Sequence, residues 1–158
     1  MEIALLRESE ERHVLALRRD GGLCDRVALV TRSFLVHDLV HLAVETEAAI
    51  ADGFWGLLAA GATLEDMSDR TGGYDPGPGL ARAESLAGPT QSLWLGRLDP
   101  AIFHELLPPE FGADFAARVH ARMRGLWGAW RATPFGGALL LRCPLAEARV
   151  LATPPTWA

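Results

Sequence analysis

Three short stretches near the start of the chain, residues 2–7, 12–18 and 25–31, interleave Val, Leu and Ile with polar residues, and Asp20-Gly21-Gly22 separates the last two. Alternation with a period of two around a Gly-rich turn is the pattern of antiparallel strands joined by a hairpin, so an N-terminal antiparallel meander is predicted. The pattern changes after Ser33. Residues 34–60 carry apolar side chains around most of a helical circumference, which predicts one long helix, capped by Ser33 and stopped by Gly61. Thr63-Leu64-Glu65-Asp66 has the form of a capping box that starts a short helix, and residues 71–79 (TGGYDPGPG) read as loop.

Residues 80–87 predict a further helix ended by Gly88-Pro89, and Asp99-Pro100 supplies a cap and a first-turn proline for a short helix over 101–107. Between residues 110 and 131, Phe115, Val119, Met123, Leu126, Trp127 and Trp130 form an apolar arc at helical spacing, with Asp114 and Arg118 paired four apart outside it. Residues 138–142 and 148–152 read as two final strands joined around Pro144. The expected architecture is α+β: a meander, a long central helix packed on the arc of Phe115, Val119, Leu126 and Trp130, further helices and a C-terminal strand pair, all in a single domain over 1–158.

Chemistry is concentrated on the long helix. At about 100° per residue, His37, His41, Glu45, Asp38 and Asp52 fall within one sector of about 100°, while nearly all the rest of the circumference is apolar. Two histidines four apart bring their Cβ atoms to about 5–6 Å, close enough for both imidazoles to reach one ion at the ~2.1 Å zinc–nitrogen distance. His37 and His41 are therefore candidate metal ligands. Asp38 is a candidate base for metal-bound water. Glu45 is a candidate in two roles, as a further ligand or catalytic carboxylate and as a residue that orients His41 from behind, because it lies about 12 Å along the axis from His37. A remaining ligand should come from another helix, with His104, Glu105, Glu110, Asp114 and His120 as candidates; His13, in a strand, reads as structural. The competing interpretation makes the polar sector a solvated face, and Phe34 and Trp55 within the sector argue against it.

Composition narrows the function further. The chain has 158 residues, 49% of them hydrophobic and 22% charged, enough apolar content for a real core and too little charge for a disordered chain. No apolar run reaches the roughly 18 residues of a membrane span. All fifteen basic residues are Arg, and Lys and Asn are absent, a bias that GC-rich bacterial coding produces. The net charge of -5 disfavours nucleic acid as a partner. The N-terminus MEIALLRESEERH lacks a basic and apolar leader, so a cytoplasmic protein is expected. Cys24 and Cys143 lack the spacing of a zinc knuckle and read as small apolar fillers. No P-loop, GxSxG or GxGxxG occurs.

The string Leu35-Val36-His37-Asp38-Leu39-Val40-His41 resembles three known patterns. It is similar to an Asp variant of the HExxH helix of zincin metallopeptidases, which implies His37 and His41 as ligands and Asp38 as base. It resembles the HDxxH helix of the coenzyme Q biosynthesis protein family, whose pattern has a further Glu about a dozen residues later, where this chain has Gly53. It is also similar to the LLHDIGH stretch of HD-domain phosphohydrolases, which implies His13 as an earlier ligand and Asp52 or Asp114 as a later one. The expectation from residues and resemblances together is a small zinc-type metal-binding protein, hydrolytic on a small-molecule or peptide substrate if a coordination position stays open. The alternatives are an HD-type phosphohydrolase, and a binding module without metal in which the Gly-Pro loop and Trp94 meet a partner.

Overall fold

The computed structural model describes residues 1–20, 22, 24–68, 73–112, 114–145 and 147–158, Cys24 by its backbone alone. The element order is β1 (Glu2–Arg7), β2 (Arg12–Arg18), β3 (Cys24–Val30), α1 (Thr31–Glu47), α2 (Phe54–Ala60), α3 (Leu64–Ser68), α4 (Gly77–Trp94), α5 (Pro100–Leu106), α6 (Asp114–Ala132), β4 (Ala138–Arg142) and β5 (Ala148–Leu151). The fold is α+β, as the alternating stretches and helical arcs predict. One antiparallel sheet runs in the order β3-β2-β1-β4-β5. The meander β1–β2–β3 forms one side, and the C-terminal pair adds to the free edge of β1, with Leu5 opposite both Leu15 and Leu139.

Alternation assigns the two faces of the sheet. Ile3, Leu5, Leu15, Leu17, Leu139 and Leu141 face the helices and join the main core with residues of α1, α4 and α6. Ala4, Leu6, Val14, Ala16, Ala138 and Leu140 face the other way and are covered by Leu151, Trp157 and Ala158 of the C-terminal segment. From the expected arc on α6, Phe115, Val119, Met123, Leu126 and Trp130 are buried, and the helix packs against α1. Arg118 does not pair with Asp114 as its spacing suggests; it joins Arg122 on Glu47 of α1, tying the two helices at their surface.

Three helical boundaries differ from expectation. α1 starts directly off β3 with Thr31, whose N–H donates to the Glu11 carbonyl, and Ser33 lies inside it rather than capping it. The long helix is also broken. Ala49 adopts a left-handed φ of 51°, the Ile50 N–H donates to the Glu45 carbonyl, and the Ala49 N–H approaches the Thr46 carbonyl, so α1 closes in a Schellman turn before α2 begins at Phe54. Gly61 does end α2, at φ 122°. Finally, α4 runs from Gly77 through Gly88 and Pro89 to Trp94, longer at both ends than the predicted helix over 80–87. Pro89 removes one internal helical hydrogen bond without ending the helix. The capping box and the Asp99 cap form as predicted: Thr63 and Asp66 exchange hydrogen bonds, and the Asp99 side chain accepts from the Ala101 N–H.

Trp130 is almost wholly buried between α6 and the sheet. Truncating so large a side chain leaves a cavity as well as losing buried area, so Trp130→Ala should cost about 3–5 kcal/mol. Guanidinium denaturation followed by circular dichroism measures this, and an unchanged midpoint would show that the α6–sheet contact is not part of the core.

Candidate metal centre

α1 is apolar almost all round because it is buried almost all round, between the sheet, α4 and α6. Its polar sector is not a solvated face. Asp38 is 4% exposed, His41 0% and Glu45 6%, His37 is half-buried, and of the sector's residues Phe34 and Asp52, at its two ends, are exposed. Buried groups of this kind must find partners, because an unpaired polar atom in the interior costs about 1–3 kcal/mol.

Glu45 satisfies its own carboxylate completely. Oε1 lies 3.0 Å from His41 Nδ1, and Oε2 accepts the Trp55 N–H at 3.0 Å in the first turn of α2. The chain reversal after α1 makes that second contact possible, and Gly53 makes it fit: a Cβ there would stand 2.5 Å from the Glu45 carboxylate carbon. The Trp55 indole closes the loop by donating to the Asp38 carbonyl at 3.1 Å. Trp55 is thus part of the support, as the sector analysis placed it, although it belongs to a different helix from His41.

With Nδ1 committed to Glu45, His41 offers its other ring nitrogen. Nε2 is fully buried and has no hydrogen-bond partner among the described residues. Across from it stands Glu84 of α4, whose Oε1 lies 3.4 Å away, near enough for an ion pair but not in hydrogen-bond geometry. His37 completes the group: its ring centre is 4.5 Å from that of His41, and its Nδ1 lies 3.5 Å from Asp38 Oδ1. His37, His41 and Glu84 each place one donor atom within 4.8 Å of the others, a His/His/Glu cluster that could bind a metal. Two atoms bonded to one tetrahedral ion at about 2.0–2.1 Å are about 3.4 Å apart, the separation of His41 Nε2 from Glu84 Oε1.

Electrostatics point the same way. Burial alone would lower the pKa of His41, but the carboxylates of Glu45 and Glu84, one on each side of the ring, outweigh it and raise the pKa to about 9. The neighbouring His41 holds the Glu84 carboxyl below the ordinary carboxylate range.

Glu84 was not among the residues singled out from sequence. It is the lone acid between Asp75 and Asp99 and borders the buried Ala83-Leu86-Ala87 side of α4. The residues that were named for the remaining ligand lie elsewhere. His104, Glu105, Glu110, Asp114 and His120 are all exposed; Glu110 approaches Arg82, and His120 packs on Trp94 and contacts Arg124. Trp94 is itself half-buried against Trp127, and of the loop expected over 71–79, residues 73–76 are loop, 71–72 lie outside the described residues and 77–79 form the start of α4.

The ligand set implied by the HD-domain resemblance does not assemble. His13 sits in β2, with Nδ1 3.2 Å from the Thr31 hydroxyl and its ring edge-on to Trp130. Asp52 lies against Gly79, and neither it nor Asp114 belongs to the cluster.

The two buried histidines give the metal-free protein opposite pH responses. His41 has a raised pKa, so its contribution to stability is complete below its unfolded value of 6.5 and is lost as pH rises through about 9. Burial lowers the pKa of His13, the charges of Asp38 and Glu8 only partly opposing it, so stability is lost as pH falls below 6.5. Thermal melts with chelator present should give a maximum near neutral pH and a decline between pH 7 and 9. Glu84→Gln should flatten that alkaline decline, and a wild-type melt independent of pH from 7 to 9.5 would contradict the assignment.

Compared with protein-family models, with curated proteins and with solved structures, the chain matches none, so its resemblances remain those of one short helical string.

Proposed function

We propose that this chain is a zinc-type metalloprotein in which His37, His41 and Glu84 hold the ion, and that it is hydrolytic at a water-bearing fourth position. The observation that carries this reading is the orphaned His41 Nε2, fully buried, aimed at a carboxylate and spaced from it like two ligands of one tetrahedral ion. Two histidines and one glutamate are a ligand set of catalytic zinc sites, which keep a position for water, whereas structural sites use four protein ligands. A cleft of about 440 Å³ reaches His37, Asp38 and Glu84 and supplies room for that position.

Two of the carboxylates on α1, Asp38 and Glu45, would support the ligands from behind. Glu45 would fix the His41 tautomer, with the proton on Nδ1 and Nε2 free for the ion, and Asp38 Oδ1 lies 3.5 Å from His37 Nδ1, a longer, purely electrostatic contact. Glu45 in this reading acts through His41, which narrows its earlier double candidacy as ligand and catalytic carboxylate. Asp38 keeps a second function. Its Oδ2 is buried without a partner and is the acceptor we assign to the proton of a metal-bound water. The ion would lower the pKa of that water towards neutrality, and Asp38 would take the proton as hydroxide attacks the substrate.

Purified protein reconstituted with zinc should bind one equivalent, measured by atomic absorption after dialysis and by competition with a fluorescent chelator. His37→Ala, His41→Ala and Glu84→Ala should each remove most of the affinity. Glu45→Gln should lower it by about 10- to 100-fold. Asp38→Asn should retain the metal and lose hydrolysis of a chromogenic ester. Because an ion must displace the His41 proton, apparent affinity should rise with pH up to about 9 and level off above it. Binding that is unaltered in His41→Ala would overturn the ligand assignment.

A further inference from the structure

The cleft beside the cluster carries information about what the site can accept. Its apolar walls come from five elements: Leu15 of β2, Val27 and Leu29 of β3, Phe34 of α1, Phe54 of α2, and Leu64 and Met67 of α3. The apolar walls lie between the edge strand β3 and the short α3 helix, so the helix break after α1 is what creates the space: α2 turns back and brings Phe54 to within 5.5 Å of the His41 ring centre. At about 440 Å³ the cleft falls in the size range of small-molecule sites, about 300–1,000 Å³.

Its charged lining is one-sided. His37, Asp38 and Glu84 are the ionisable residues at the cleft, with Ser33 and Ser68 as its hydroxyls, and no Arg lines it among the described residues; the chain has no Lys at all. A dication held by the cluster would be neutralised by Asp38 and Glu84, leaving no excess positive charge. A phosphoester would bring one or two negative charges against two carboxylates with no fork of Arg donors among the described residues to receive them. A neutral carbonyl compound meets no such penalty, and its hydrocarbon part finds apolar walls.

We propose that this cleft is the substrate site and that it takes neutral small molecules with an apolar body and a metal-directed carbonyl head, such as carboxylic esters or amides, and not phosphoesters. The proposal rests on the metal reading above. Its test uses the zinc-loaded full chain, titrated calorimetrically with acetohydroxamic, butanohydroxamic and hexanohydroxamic acids, which share one metal-binding head and differ in hydrocarbon length. Hexyl phosphate supplies the anionic counterpart, and zinc content is measured after each titration.

Each added methylene that enters the cleft should tighten binding about fourfold, so hexanohydroxamate should exceed acetohydroxamate on the order of a hundredfold. Hexyl phosphate should bind more weakly than hexanohydroxamate, which carries a tail of similar length. Leu64→Ser and Met67→Ser, on α3 and outside the metal cluster, should each reduce the chain-length gain while one equivalent of zinc remains bound. Equal affinity for the three hydroxamates on zinc-loaded protein, or tighter binding of hexyl phosphate, would overturn the substrate class and leave the metal site standing. Failure to bind zinc would overturn both.

Discussion

The architecture around the candidate centre depends on one buried carboxylate. Glu45 pairs with His41 of its own helix and accepts from the first turn of the next, so a single side chain holds a histidine ring and the position of α2. Burying a carboxylate is costly unless its oxygens are paired, and both are paired here. Because one partner is a backbone N–H of another element, the pairing requires the chain to reverse after Glu47. The left-handed Ala49 and the side-chain-free Gly53 are consequences of that reversal. Ala in the left-handed region costs about 1–2 kcal/mol, and the two Glu45 contacts with the burial of Ile50 and Trp55 provide the compensation.

This constraint also explains which parts of the fold were legible in the sequence. The strands announced themselves because alternation is a local property: Ile3, Leu5, Leu15 and Leu17 face the helices simply by their parity. The α6 arc was legible for the same reason at the helical period. The break after α1 was not, because its turn uses Ala49 where a glycine would have marked it, and because residues 48–54 continue the apolar spacing of a helix. In α4 the opposite happened: Gly88-Pro89 reads as a terminus, yet the helix continues to Trp94, held between α1 and α5 by packing that local propensity does not contain.

The candidate site divides along the same line. His37, Asp38, His41 and Glu45 share one turn-to-turn sector, so their proximity followed from helical geometry alone. Glu84 is separated from His41 by 43 positions, and its arrival depends on α4 crossing α1. Spacing carries no information about that crossing, and the candidates chosen from α5, α6 and the loop before α6 turned out to face solvent. What the sequence did contain was an imbalance: a buried helix with two histidines and two carboxylates in one sector and no Arg or Lys among them.

That imbalance is the last step in understanding the site. Asp38, Glu45 and Glu84 converge on two imidazoles, and among the described residues no basic side chain other than these histidines is an ion-pair partner of the three carboxylates. Without a metal, the nearest available positive charge is a proton on His41, which is why its pKa rises in spite of its burial. A proton, however, leaves a 3.4 Å gap between His41 Nε2 and Glu84 with no hydrogen bond across it. A divalent ion in that gap would satisfy the orphaned nitrogen, bind the carboxylate and supply a second unit of charge. An ion held as proposed would therefore satisfy the groups that a proton leaves under-satisfied, and the same carboxylates that raise the His41 pKa would hold its replacement.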